Sequence, residues 1–258
     1  METSPRPAAH GAATARPRPS HVADLLRLVT REPGRPRLTW YGDDGERVEL
    51  SGAVLENWIN KTTNLLVEEF DAGPGTRVVV DLPVHWRTVL WTLAAWRTGA
   101  TVVLVDDAAA DAADVVVTSR PGEWAGHRAD VVAVALPALA RRFDGDLPAG
   151  VVDAASAVMT YGDQVGWCPA PDLAEPALVH AGDEDVAHVD LVPAPRHDAG
   201  ARVLLRGDGP VAGTVRDVLD VLAGDGSVVL ASAGRSAALD ADDAARERLV
   251  AAERVTAP

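Results

Sequence analysis

Residues 50–106 alternate two hydrophobic periods in the order helix, strand, helix, strand, and few folds accept that order. Ser51 is a good N-cap, because its hydroxyl can satisfy a backbone N–H that a helix start leaves free. Behind it Val54, Leu55, Trp58, Ile59, Leu65 and Leu66 recur near the helical period. Gly73-Pro74-Gly75 is expected to stop this helix, since glycine tolerates positive φ and proline cannot continue it. Residues 77–82 then form a β-branched run of the kind buried on both faces of a sheet. Residues 85–98 are apolar almost all round, so their helix is expected to be sandwiched. Gly99 ends it, and residues 101–105 read as a second buried strand. Two such strands joined by a helix make a βαβ unit with a right-handed crossover.

The flanking sequence extends this pattern. Residues 1–19 are rich in Pro, Ala and Arg without periodicity, and are expected to be a disordered tail. Residues 20–258 are expected to be a single domain. Residues 21–29 carry Val22, Leu25, Leu26 and Val29 on one helical face. Residues 37–41 and 47–50 flank Asp43-Asp44-Gly45, a hairpin signal. Residues 108–113 read as a linker or short helix, and 114–118 and 130–134 as strands. Residues 136–142 read as a helix or turn, 151–161 as a helix, 167–175 as a Pro-rich loop and 177–180 as a strand. Residues 202–206 and 227–231 are strands around a helix at 211–223, and a last helix runs over 240–254. The strands beginning at Arg77, Thr101, Asp114 and Arg202 are expected to share one mostly parallel sheet.

Composition narrows the function classes. The chain has 258 residues, 47% of them hydrophobic, so a sizeable core is available. Its formal net charge of −14 repels phosphate backbones and disfavours nucleic acid as a partner. No apolar run is long enough for a bilayer span, and the N-terminus shows no apolar secretory region. Cys168 is the one cysteine, so no intrachain disulfide can form. These features point to a reducing cytoplasm and to no membrane partner. Arginine far outnumbers lysine, which suggests a high-GC bacterial genome; Lys61 is the single lysine.

The central stretch resembles the N-terminal region of the adenylate-forming family, the AMP-dependent synthetases and ligases that include acyl-CoA synthetases. The residues that carry the likeness are Leu55, Asn64-Leu65-Leu66, Gly73-Pro74-Gly75-Thr76-Arg77-Val78, Leu93-Ala94-Ala95, and Gly99-Ala100 leading to Asp106. Arg202-Val203-Leu204-Leu205, Leu219 to Leu222, Gly226-Ser227-Val228-Val229-Leu230 and Arg254-Val255-Thr256 extend it, so it runs from Leu38 to the C-terminus. The resemblance implies an α/β fold, with mostly parallel sheet flanked by helices, like the first part of an adenylate-forming N-terminal domain. It also implies a truncated relative.

Family enzymes hold ATP phosphates on a Gly/Ser/Thr loop that follows a strand and carries a lysine. The matching strand here is Ala177-Leu178-Val179-His180, followed by Ala181-Gly182-Asp183-Glu184-Asp185. One glycine remains, and three carboxylates stand where triphosphate would sit. Lys61 matches neither of the lysines the family uses, and Arg206-Gly207-Asp208-Gly209-Pro210 lacks the histidine of a further family loop. The expectation is therefore no catalytic residue, no cofactor site and no metal site. The chain is expected to be an inactive acyl-CoA synthetase-like binding or scaffold protein, with a protein partner or a small acyl- or nucleotide-like ligand. The alternative is an AMP-binding ligase component completed by a separate polypeptide.

Several constellations admit both a functional and a structural reading. His180, Asp183, Asp185 and His188 are metal ligands by type, but acidic residues after a strand also favour a helix start. Gly234-Arg235-Ser236 reads as a turn and not as a nucleophile elbow. Gly207-Asp208-Gly209 is a weak phosphate-loop echo. Cys168 has no activating histidine near it in sequence. Trp86, Trp91 and Trp96 could line an acyl pocket, but aromatic residues on a buried helix usually belong to the core.

Overall fold

A computed structural model describes residues 18–43, 45–104, 112–180 and 184–257. The expected tail falls almost entirely outside these residues, as do Val105, Asp106, most of the 108–113 linker and Asp183.

The chain opens with α1 (Val22–Val29), then the hairpin β1 (Pro36–Tyr41) and β2 (Arg47–Ser51). Next come α2 (Gly52–Phe70), β3 (Arg77–Asp81), α3 (Trp86–Thr98), β4 (Thr101–Leu104), β5 (Val115–Thr118) and β6 (Asp130–Ala133). After β7 (Val152–Asp153) and the short α4 (Ala154–Ala157) follow β8 (Pro176–His180) and β9 (Val186–Ala187). The last part is β10 (Arg202–Gly207), α5 (Val211–Ala223), β11 (Ser227–Ser232), α6 (Ala233–Ala241) and α7 (Asp243–Ala252).

The strands form two sheets. One has seven strands in the order β7-β6-β5-β3-β4-β8-β9, parallel except where β9 turns back on β8. The other has the order β10-β11-β1-β2, in which β10, β11 and β1 are parallel and β2 is antiparallel. The strand at Arg202 therefore does not share a sheet with those at Arg77, Thr101 and Val115, which corrects the single-sheet expectation. It pairs with β11, and β11 pairs with β1 from the start of the chain. The local sequence of a strand such as Arg202–Gly207 carries no mark of which sheet it will join. The α/β class and the predominance of parallel pairing stand as expected.

Packing explains the sandwiched helix. α3 is buried along nearly its whole length, and Trp86, Trp91 and Trp96 are all in the core. Trp96 donates Nε1–H to the carbonyl of Ala177 on β8 at 2.6 Å, which satisfies the one polar atom of that ring. Gly99 caps α3 with φ 84°, and a Cβ there would lie 2.9 Å from the Cα of Pro171. Glycine is required on both counts.

Three local expectations are revised. α2 ends at Phe70, where Asp71 adopts a left-handed conformation, so Gly73-Pro74-Gly75 forms the following turn and not the stop. Aspartate is among the non-glycine residues that tolerate this region best. The segment 151–161 is not one helix: it is β7, α4 and a short 3₁₀ turn (Val158–Thr160). The last helix is two helices, broken at Asp242, whose side chain caps α7 by accepting from Ala245 N–H at 2.9 Å. Gly234-Arg235-Ser236 lies in the first turn of α6 and is helical. No described helix is long and apolar enough to cross a membrane.

Candidate functional site

The strand that the resemblance aligns with the one before the family's phosphate loop, where no phosphate site is expected, pairs with a second, antiparallel strand. Leu178 pairs with Val186 and Pro176 with Ala187 across the antiparallel β8–β9 ladder. The chain thus reverses between His180 and Val186. Glu184 and Asp185 are exposed in this connection; residues 181–183 lie outside the described residues. His188, just beyond, is buried and holds the carbonyl of Gly99 through Nε2 at 3.1 Å. Burial lowers its pKa, opposed in part by backbone contacts at Gly99 and Ala100. His188 is thus a core residue that ties the end of α3 to the turn after β9. Among the described residues, no three His, Cys, Asp or Glu side chains are grouped to hold a metal.

The other singled-out residues are engaged elsewhere. Lys61, on α2, donates to the carbonyl of Tyr161 at 2.6 Å and pairs with Asp163 at 2.9 Å. Its neighbours Asn60 and Asn64 donate to the carbonyls of Asp163, Gly162 and Gln164. One face of α2 therefore clamps the 161–164 segment. Cys168 is half-buried, its thiol pKa is raised by burial against a smaller opposite effect of Arg97, and Sγ contacts the carbonyl of Arg97. Such a thiol is a weak nucleophile. At Gly207 the N–H donates to Ser236 Oγ at 3.1 Å, and Asp208 pairs with Arg206, which also binds Asp240.

A groove of about 410 Å³ opens between the two sheets. Its walls come from the carboxyl ends of the parallel strands: Gly42 and Asp43 after β1, Pro83, Val84 and His85 after β3, and Leu136 and Pro137 after β6. Gly207 of β10, Ser232 of β11 and Ala233 of α6 complete them, with Trp40 and Glu46 from the hairpin. Open α/β sheets bind ligands at this end, where crossover loops diverge and leave a crevice.

Two carboxylates of the β1–β2 turn stitch the groove together. Glu46 accepts from Trp40 Nε1–H at 3.1 Å and from Ala138 N–H at 2.8 Å, which links the hairpin to the segment after β6. Asp43 accepts from the Ser232 hydroxyl and from Arg235 N–H at 3.2 Å, at the N-terminus of α6. His85 is 5% exposed and its Nδ1 accepts from Arg87 N–H at 3.1 Å. Burial, aided by Arg87, pushes its pKa down to about 3, so it is neutral at pH 7 and carries its proton on Nε2. Trp40 meets its ring edge-on at 4.6 Å. Sequence reasoning missed this trio. His85 read only as a helix start and Asp43 only as part of a turn, and nothing in the chain order brings those two positions together.

The fold is similar to that of part of several solved acyl-CoA synthetases. No family model matches the chain. An acyl-CoA synthetase of Brucella canis superposes with a TM-score of 0.66 at 18% identity, over 83% of this chain and 43% of that one. Acetoacetyl-CoA synthetase from Streptomyces lividans gives 0.63 at 16% identity, over 82% and 38%. A fatty acyl CoA synthetase of Mycobacterium tuberculosis gives 0.61 at 15% identity, over 92% and 48%. The chain thus spans less than half of each of these structures. Among curated proteins, it is 40% identical over 154 residues to a Mycobacterium tuberculosis protein named only for its family, across 55% of this chain and 60% of that relative.

Proposed function

We propose that this chain is a small-molecule binding protein on an adenylate-forming fold, and that it does not itself adenylate a carboxylate. The observation that carries the reading is the strand end after β8. There the chain reverses into β9 with Glu184 and Asp185 exposed, while its only lysine is held on α2 by Asp163 and Tyr161. Adenylation needs backbone N–H groups and cations around a triphosphate. Each carboxylate close to that polyanion costs about 1 kcal/mol or more even near water. The groove between the sheets is the binding site in this reading. Cys168 is the chain's one cysteine and can form no intrachain disulfide, which supports a reducing, cytoplasmic setting.

Isothermal titration with Mg-ATP is expected to show no micromolar binding. Micromolar binding abolished by Asp183→Ala would contradict the repulsion argument and favour a metal-assisted site, since acidic residues can hold Mg²⁺ beside a nucleotide. The second reading, a ligase component completed by a separate polypeptide or acting as its scaffold, is favoured by the fold itself. It predicts carboxylate-dependent exchange only when that polypeptide is added.

A further inference from the structure

The groove's polar groups specify the charge of what it can hold. Asp43 and Glu46 are held only by neutral donors: a hydroxyl, an indole N–H and two backbone N–H groups. Neither has a cation partner among the described residues. Arg87 lies near Glu46 and spends its guanidinium on the carbonyls of Leu136, Pro137 and Ala138. It attracts Glu46 from there without forming an ion pair with it, and Arg235, whose backbone N–H donates to Asp43, forms no ion pair with Asp43 either.

A second, independent group lines the same space. His85 is more than nine-tenths buried and lines the groove, its Nδ1 is occupied, and Nε2 has no partner among the described residues. It presents a single neutral N–H donor. Around it Trp40, Pro83, Val84, Leu136, Pro137 and Ala233 supply apolar wall.

We propose that this groove binds a small organic amine: an ammonium facing Asp43 and Glu46, an apolar body against Trp40 and Leu136, and a hydrogen-bond acceptor at His85 Nε2. The inference rests on the reading that the groove is the ligand site of a chain that does not adenylate. It excludes carboxylate and phosphate ligands there, because an anion would sit against two carboxylates that no cation pairs among the described residues.

The test is calorimetric titration of the full chain with three benzyl probes that differ in charge: phenylalaninol as cation, benzyl alcohol as neutral, phenyllactate as anion. Phenylalaninol is expected to bind more tightly than either of the others. Asp43→Asn and Glu46→Gln should each weaken it by about tenfold, the loss of one charge contact. Asp43 is exposed, so Asp43→Asn stays informative even if Glu46→Gln loosens the hairpin. Preference for phenyllactate would overturn the amine assignment while leaving the groove as the site. Binding of none of the three at millimolar concentration, or binding indifferent to both variants, would overturn it as well. Carboxylate-dependent pyrophosphate exchange by the same preparation would instead remove the non-adenylating reading beneath it.

Discussion

Glu253→Ala is expected to lower stability by about 3–5 kcal/mol, the cost of removing the carboxylate from its largely buried pair with Arg202. With a chain of this size that is a fall in melting temperature of roughly 10 °C. Glu253 follows α7, yet it closes the β10–β11–β1–β2 sheet from outside. Its Oε1 accepts from Tyr41 Oη at 2.5 Å and Arg47 Nε at 2.9 Å, and Oε2 accepts from Arg202. Arg202 also donates to the Glu253 carbonyl at 2.6 Å and reaches Thr39 and Ser227. Without the carboxylate, Arg202, 14% exposed at its side chain, would keep a charge with no counterion.

The same network makes a prediction in pH. Burial alone would raise the Glu253 pKa, but the hydrogen bonds from Arg47, Tyr41 and Arg202 outweigh it and bring it from 4.5 to about 2. A folded-state pKa below the unfolded one means stability that is complete above the unfolded value and disappears as pH falls through the folded one. Melting temperature should therefore decline between about pH 5 and pH 2, and Glu253→Gln should flatten that decline. An unchanged slope in the glutamine variant would show that other carboxylates govern acid unfolding.

Trp96→Ala is expected to cost about 3–5 kcal/mol, as for large-to-small changes of aromatic core residues. The side chain is 1% exposed and bridges α3 to β8 through the Ala177 carbonyl. Removal opens a cavity and leaves that carbonyl without its indole donor. This variant separates the two readings of the tryptophans. A core role predicts a large loss of denaturant midpoint and unchanged affinity for groove ligands once the fold is restored by lower temperature. A pocket role predicts near-normal stability with lost binding.

How far the sequence carries depends on the range of the forces involved. β3 and β4 are legible at residues 77–81 and 101–104 because double burial makes a continuous β-branched run. α5 is legible at Val211–Ala223 because Gly224 and an amphipathic face bound it. The assignment of β10 to the second sheet is not legible. It is decided by pairing between residues far apart in sequence, such as Leu38 with Val228 and Val203 with Val228. Asp242 is a local signal that was readable, since an aspartate three residues before Ala245 is a good N-cap, but the strong helical composition on both sides hides the break. The groove was not legible at all. The β1–β2 turn with Asp43 and Glu46, His85 after β3 and Ser232 at the end of β11 are far apart in the chain, and only the fold brings them to one opening.

In the proposed reading the chain binds a small molecule in the groove and does not adenylate. Carboxylate-dependent exchange of pyrophosphate into ATP, measured on the purified chain with Mg²⁺ across a panel of short, long and aromatic carboxylic acids, tests it most directly. The account predicts exchange at the no-enzyme background for every acid. Exchange above background by the chain alone, lost when Asp183 or Glu184 is replaced, would contradict it and make the β8–β9 turn a working nucleotide site.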